Sequence, residues 1–169
     1  EILRSAQNDI GLVLVGKEDY FYKRLKEKVK KMHLEKSVLF CGEVSDEELS
    51  GLYKNALALV IPSFMEGFGL PGLEAMANRC LVLSSDIPSL REVYGIAAMY
   101  FDPYDTEDLV RKMGDAMGDS GQDGYQTVTR QASMTKRDKV EKGLERTKIF
   151  SWEKMARETL AVYENYSKS

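Results

Sequence analysis

The chain has 169 residues, 43% of them hydrophobic and 30% charged, with a formal net charge of −3. That length is enough for one domain with a core of its own, and the slightly acidic balance excludes a nucleic-acid binder working through a basic face. The apolar runs are strand-sized, which excludes a membrane span, and with a single histidine, His33, at an expected helix end, there is no zinc constellation.

Glu1 to Ala6 reads as the tail of a helix already under way, with Ile2, Leu3 and Ala6 on one side and no cap before them. Gly11 to Val15 is a buried strand by its continuous apolar run, ended by Gly16. From Glu18 to His33, Phe21, Leu25, Val29 and Met32 recur at helical spacing, and six lysines and arginines take the remaining sides. Those cations read as a solvated face, with a membrane-surface helix as the alternative. Val38 to Cys41 is a second strand. Ser45 with Glu48 three residues on forms a capping box for a helix over Asp46 to Lys54.

Ala56 to Ile61 is the third strand, Pro71 to Asn78 a helix, and Cys80 to Ser84 the fourth strand. Pro88 to Val93 is a helical turn and Ala97 to Phe101 the fifth strand; Thr106 is read as the cap of a helix running to Met117. Cys41 and Cys80 lie in or beside apolar runs, as small core residues rather than a disulfide. Strand and helix alternate, which predicts an α/β fold with a parallel sheet and helices on both faces. Gly118 to Gly124 is a flexible link by composition, Tyr125 to Lys148 a polar and exposed helical stretch, and Ser151 caps a helix whose Trp152, Met155, Leu160, Val162 and Tyr163 must pack on something. The expected division is therefore 1–117 as the sheet domain and 118–169 as a linker with C-terminal helices packing on it.

The chemistry is concentrated between Ile61 and Ala77, Ile-Pro-Ser-Phe-Met-Glu-Gly-Phe-Gly-Leu-Pro-Gly-Leu-Glu-Ala-Met-Ala. Gly67 and Gly69 let the backbone take unusual dihedrals and come close to a bound group. Pro71 fits the first helical position, and the unpaired N–H groups of that turn, with the helix dipole behind them, favour an anion such as a phosphate. Glu66 and Glu74 flank the turn. A carboxylate beside a phosphate is useful where it holds hydroxyls, and its two oxygens accept from a vicinal diol such as a sugar or ribose presents.

Three other readings of these residues compete. Gly67, Gly69 and Gly72 satisfy the dinucleotide fingerprint, and Asp86 ends the next strand where a ribose-binding acid would stand; against an NAD-binding domain, five residues, Pro62 to Glu66, separate the strand from the first glycine. A glycosidase would also use two carboxylates, but typically across an open groove. The third reading gives neither acid a ligand: Glu74 complements the helix dipole and Glu66 is a solvated loop residue.

The wider pattern decides among them. Pro62-Ser63, Glu66-Gly67-Phe68-Gly69-Leu70-Pro71 and Glu74-Ala75-Met76-Ala77 resemble the E-x7-E signature of the family 4 (group 1) retaining glycosyltransferases, in their donor-binding, C-terminal half. The segments Gly11 to Gly16, Val38 to Val44, Ser85 to Val93 and Phe150-Ser151-Trp152-Glu153 resemble further parts of the same domain, so the likeness covers nearly the whole chain. The resemblance implies one Rossmann-like half of a GT-B fold, its first strand and a phosphate-gripping arginine and lysine lying upstream of Glu1, and its acceptor domain missing. It implies that Glu66 contacts the transferred sugar as the catalytic carboxylate, that Glu74 holds the ribose, and that the N–H groups of Phe68, Gly69 and Leu70 hold the diphosphate. Gly16, Lys17 and the turn Gly42-Glu43-Val44 would seat the base.

The same resemblance implies a nucleotide-diphosphate sugar as the substrate and a glycan or lipid-linked acceptor. No metal and no cofactor are implied, in keeping with the lack of a D-x-D motif. The implied setting is cytoplasmic, with peripheral association at the inner face of a membrane for the full-length enzyme. As a fragment the chain is expected to be inactive. Arg79 and Leu81 replace a glycine and a proline common in the family, which predicts an altered exit from the preceding helix. The alternatives are a non-catalytic Rossmann-like binding domain, an NAD-binding domain, and an epimerase or phosphorylase of the same architecture. In the strand order of such sheets the first strand is central, so either Gly11 to Val15 pairs directly with Ala56 to Ile61 or another segment fills the gap.

Overall fold

The computed structural model describes residues 11–117 and 134–166. The expected helix tail at Glu1 to Ala6 and the link at Gly118 to Gly124 lie outside the described residues. The chain divides into two compact units, the first through Leu49 and the second from Ser50.

In the first unit, β1 (Leu12–Val15) pairs in parallel with β2 (Val38–Gly42), Leu12 opposite Val38 and Leu14 opposite Phe40. Between them runs α1 (Tyr20–Lys31), capped by Asp19, whose carboxylate accepts from the Tyr22 N–H at 2.9 Å. Its exit bends through His33, which is exposed and left-handed at φ 56°. The Leu34 N–H bonds Val29 O and the His33 N–H bonds Lys30 O, both at 3.1 Å, so the last carbonyls of α1 are satisfied. The helix α2 (Asp46–Asn55) then opens on the predicted capping box: Glu48 N–H donates to Ser45 Oγ at 3.2 Å and Ser45 N–H to Glu48 Oε2 at 2.8 Å.

In the second unit, three parallel strands lie in the order β3 (Leu59–Ile61), β4 (Val82–Ser85), β5 (Met99–Phe101). Strand β3 is shorter than the apolar run predicts because α2 carries its hydrogen bonding to Ala56, whose N–H reaches Leu52 O at 2.9 Å. Strand β5 starts late because Gly95–Ala97 is a 3-10 turn. All four residues of the central strand β4 are buried, as flanking by two strands requires. Its two serines are satisfied: Ser85 Oγ donates to Ile61 O at 3.1 Å and Ser84 Oγ to Ser85 O at 3.1 Å. Leu81, Leu83, Phe101 and Ala116 form the core with Val60, Met99, Leu109 and Val140 against them.

Among the described residues β1 pairs with β2 and β3 with β4, and β1 does not pair with β3. The direct pairing that the sequence left open is therefore not formed: each of those strands takes one described partner, on one edge.

Helices α3 (Leu70–Ala77), α4 (Pro88–Tyr94), α5 (Thr106–Met117), α6 (Lys136–Thr147) and α7 (Trp152–Tyr166) complete the second unit. The cap of α5 is Asp105, not Thr106: its Oδ1 accepts from Glu107 N–H at 2.9 Å and Asp108 N–H at 3.2 Å, leaving Thr106 as the first helical residue. The expectation of an exposed helix before Lys148 is corrected as well. Capped by Thr135 and Asp138, α6 buries Gly143 against Met76 of α3 and sends Lys139 Nζ to Ile96 O and Ala98 O, each at 3.0 Å. Charged composition did not reveal this face because its buried contact is a glycine and its cations spend their charge on helix-end carbonyls. Ser151 does cap α7, accepting from Lys154 N–H at 3.1 Å. That helix has no buried residue, and the apolar side chains expected to pack, Trp152, Met155, Leu160, Val162 and Tyr163, are exposed.

Candidate functional site

The loop that leaves the carboxyl end of β3 builds the site. Ser63 Oγ donates to Glu66 Oε1 at 2.8 Å, which fixes the loop around its first acid, and the ring of Phe64 lies 5.0 Å from that of Tyr104. Gly69 is the N-cap of α3 at φ 79°, a left-handed conformation that costs an L side chain dearly. The Gly72 N–H turns back to Gly69 O at 3.1 Å. The N–H groups of Phe68, Gly69 and Leu70 meet no acceptor among the described residues, and Glu66, Gly67, Phe68, Leu70 and Glu74 are all exposed, so the turn is open on its outer side.

Below the turn it is closed. Tyr94, fully buried on α4, donates its hydroxyl to Gly69 O, and burial pushes that phenol well above its ordinary range. A Cβ at Gly69 would lie 2.2 Å from the Tyr94 hydroxyl, and one at Gly72 2.3 Å from Tyr94 Cζ. Gly69, read as a place where backbone comes close to a bound group, and Gly72 both also bring backbone close to Tyr94. Gly67 has open space around it, with nothing within 4 Å of a Cβ.

Helix α3 opens at Leu70, which puts Pro71 at the second helical position and moves Glu74 beyond the first turn. The dipole reading of Glu74 loses its basis, since that effect fades within a turn. Glu74 is held otherwise. Tyr53 Oη, on α2 within the second unit, donates to Glu74 Oε2 at 3.4 Å; burial first, and then the Glu74 charge, raise the Tyr53 phenol to about 12. Ser50 Oγ ties the same helix to Asn78 Oδ1 at 2.6 Å.

The far edge of the turn is met by the segment after α6. Phe68 and Phe150 stack edge to face at 5.3 Å, and the Arg146 guanidinium lies 5.3 Å over Phe150 while its Nε donates to Val93 O at 2.7 Å. Tyr53, Tyr94, Arg146 and Phe150 were not identified from the sequence as parts of this site. The one signal, and for Tyr94 alone, was two glycines three residues apart at a helix start, which marks a bulky neighbour.

Asp86, the acid of the dinucleotide reading, is engaged: Arg91 donates to both of its oxygens and holds its carboxyl below the usual range. The other predicted site residues belong to the first unit. Gly16 N–H bonds Gly42 O at 2.9 Å and Gly42 N–H donates to the Tyr22 hydroxyl at 3.0 Å, which gathers Gly16, Lys17 and the turn Gly42-Glu43-Val44 at the carboxyl ends of β1 and β2. Lys17 is exposed and Val44 half-buried.

Residues 1–135 match the family described as Glycosyl transferases group 1. The chain is 44% identical over 94 residues to the O-antigen chain mannosyltransferase RfbU of Salmonella typhimurium, covering 56% of this chain and 26% of that protein. To the O-antigen chain mannosyltransferase B of Escherichia coli it is 35% identical over 127 residues, covering 75% and 30%. Of the solved structures, Anabaena HepE in complex with UDP aligns with a TM-score of 0.72 at 16% identity, over 92% of this chain and 41% of that one, a likeness of fold. The chain thus spans 26% and 30% of the length of the two mannosyltransferases.

Proposed function

The chain belongs to the group 1 glycosyl transferases, and from that premise we propose that it is the part of a retaining GT-B enzyme that holds a nucleotide-diphosphate sugar for transfer of a hexose to a glycan or lipid-linked acceptor. The N–H groups of Phe68, Gly69 and Leu70 take the diphosphate at the positive end of α3. They stabilise the charge that grows on it as the glycosidic bond breaks, so the transfer needs no divalent metal. Glu66 accepts from hydroxyls of the sugar and Glu74 from those of the ribose.

The observation that carries this reading is the turn itself, whose amides lack acceptors and whose outer side is open between two exposed carboxylates. HepE carries UDP and RfbU is named a mannosyltransferase, which supports a nucleotide-sugar donor and mannose as the hexose.

Calorimetric titration of the chain with UDP, GDP and ADP tests it. One nucleotide binds in the presence of a chelator, and Glu74→Ala weakens it roughly tenfold, as loss of a charge-assisted hydrogen bond requires. Equal affinity of mutant and parent would remove Glu74 from the site. No binding of any of the three would count against the donor assignment.

A further inference from the structure

The opposite end of α3 carries a second feature. Where the chain enters β3 and β4, at their amino ends, lies a concavity of about 330 Å³. Leu81 and Val140 line it together with Arg79, Lys136, Arg137 and Glu141. Eight residues of helix put this concavity and the α3 turn roughly 12 Å apart along the axis, so the two are separate.

Three cations converge here against one acid. Glu141 Oε1 is taken up by Arg137 Nε at 3.3 Å, and Asp138, the nearest other carboxylate in sequence, is bound in the capping box with Thr135. Arg79 and Lys136 meet no carboxylate among the described residues. Lys136 and Arg137 occupy the first two positions of α6, the positive end of that helix, where a cation is unfavourable. Arg79 stands at φ 61°, in the left-handed region a glycine fills without cost. At Lys136 no ion pair among the described residues offsets the repulsion of the dipole, whereas Arg137 gains Glu141 one turn on. An anion in the concavity would be attracted by all three cations, against the single charge of Glu141.

We propose that this concavity is an anion site that takes a phosphate group, free or on an anionic lipid head group. The planar Arg79 and Arg137 guanidinia grip its oxygens, Lys136 adds a point charge, and the Leu81 and Val140 surface accommodates the apolar part of an ester.

Two variants test it in the whole chain. Arg79→Gly removes a cation while relieving the left-handed backbone, so the protein stays folded, and Lys136→Gln removes a second charge at an exposed position. One arm titrates pyrophosphate by calorimetry with the α3 turn saturated with UDP; the other measures flotation with phosphatidylglycerol and with phosphatidylcholine vesicles. Each variant is expected to lose roughly tenfold in affinity in at least one arm, with UDP titration unchanged for Arg79→Gly. A loss confined to pyrophosphate identifies a free phosphate as the source, and a loss confined to phosphatidylglycerol vesicles a lipid head group. Binding in neither arm, or binding that both variants leave intact, overturns the proposal.

Discussion

The hydroxyl of Tyr94 donates to the carbonyl oxygen of Gly69, and the Tyr94 ring is fully buried. This bond fastens α4 to the residue that caps α3, so the open turn above rests on a phenol ring inserted beneath two glycines. The turn keeps its amides aimed outward because its own carbonyl is occupied from within.

Tyr94→Phe removes that donor and leaves the Gly69 carbonyl buried without it. A loss of about 1–3 kcal/mol is expected in denaturant unfolding, with weaker UDP binding because the amides lose their fixed direction. Gly72→Ala overpacks the same contact from the other side and costs a similar amount, about 1–3 kcal/mol. Wild-type unfolding midpoints for both would show that the ring is not in place.

The two non-glycine residues in left-handed conformation, His33 at φ 56° and Arg79 at φ 61°, both follow helix ends closed by paired back-bonds. Replacing either with glycine relieves strain, offset in part by the added freedom of the unfolded chain. Each substitution is expected to stabilise by roughly 0.5–1 kcal/mol, visible as a higher thermal midpoint; a lower midpoint for both would contradict the backbone assignment.

Lys139 holds α6 to the 3-10 turn through its two bonds to Ile96 O and Ala98 O. In Lys139→Met the stem packs as before and the two carbonyls lose their donor, at a cost of about 1–3 kcal/mol. Amide exchange along α6 should accelerate more than exchange in β4; uniform exchange rates across both would show that the helix is anchored elsewhere.

Alkaline pH should weaken the second unit. Burial raises the phenols of Tyr53 and Tyr100 to about 12 and that of Tyr94 further. A group whose folded-state pKa lies above its unfolded value contributes stability that is whole below the unfolded value, about 10, and is lost as pH rises toward the folded one. Denaturant midpoints should therefore fall between about pH 10 and about pH 12. Tyr53→Phe should flatten part of that fall; an unchanged slope would show that Tyr53 ionises as freely when folded as when unfolded.

Much of the site could be read without coordinates. The carboxylate pair around a glycine turn, the apolar run that delivers the chain to it and the capping box at Ser45 are local patterns, set by residues a few positions apart. The boundaries that moved, at β3, β5 and Thr106, are those where a neighbouring helix or turn competed for the same backbone donors.

By itself the sequence determined the alternation of strand and helix and the capping box at Ser45, because hydrophobic period and caps act over short range, and its resemblance to the E-x7-E signature pointed to the family. Only the tertiary structure decided what lies beneath the α3 turn. The glycines at 69 and 72 accommodate Tyr94, Tyr53 holds Glu74, and the charged α6 packs through Gly143 and two cations on residues some 40 to 70 positions away. Those partners meet because the chain crosses over between parallel strands, and no local periodicity records which distant side chain such a crossover delivers.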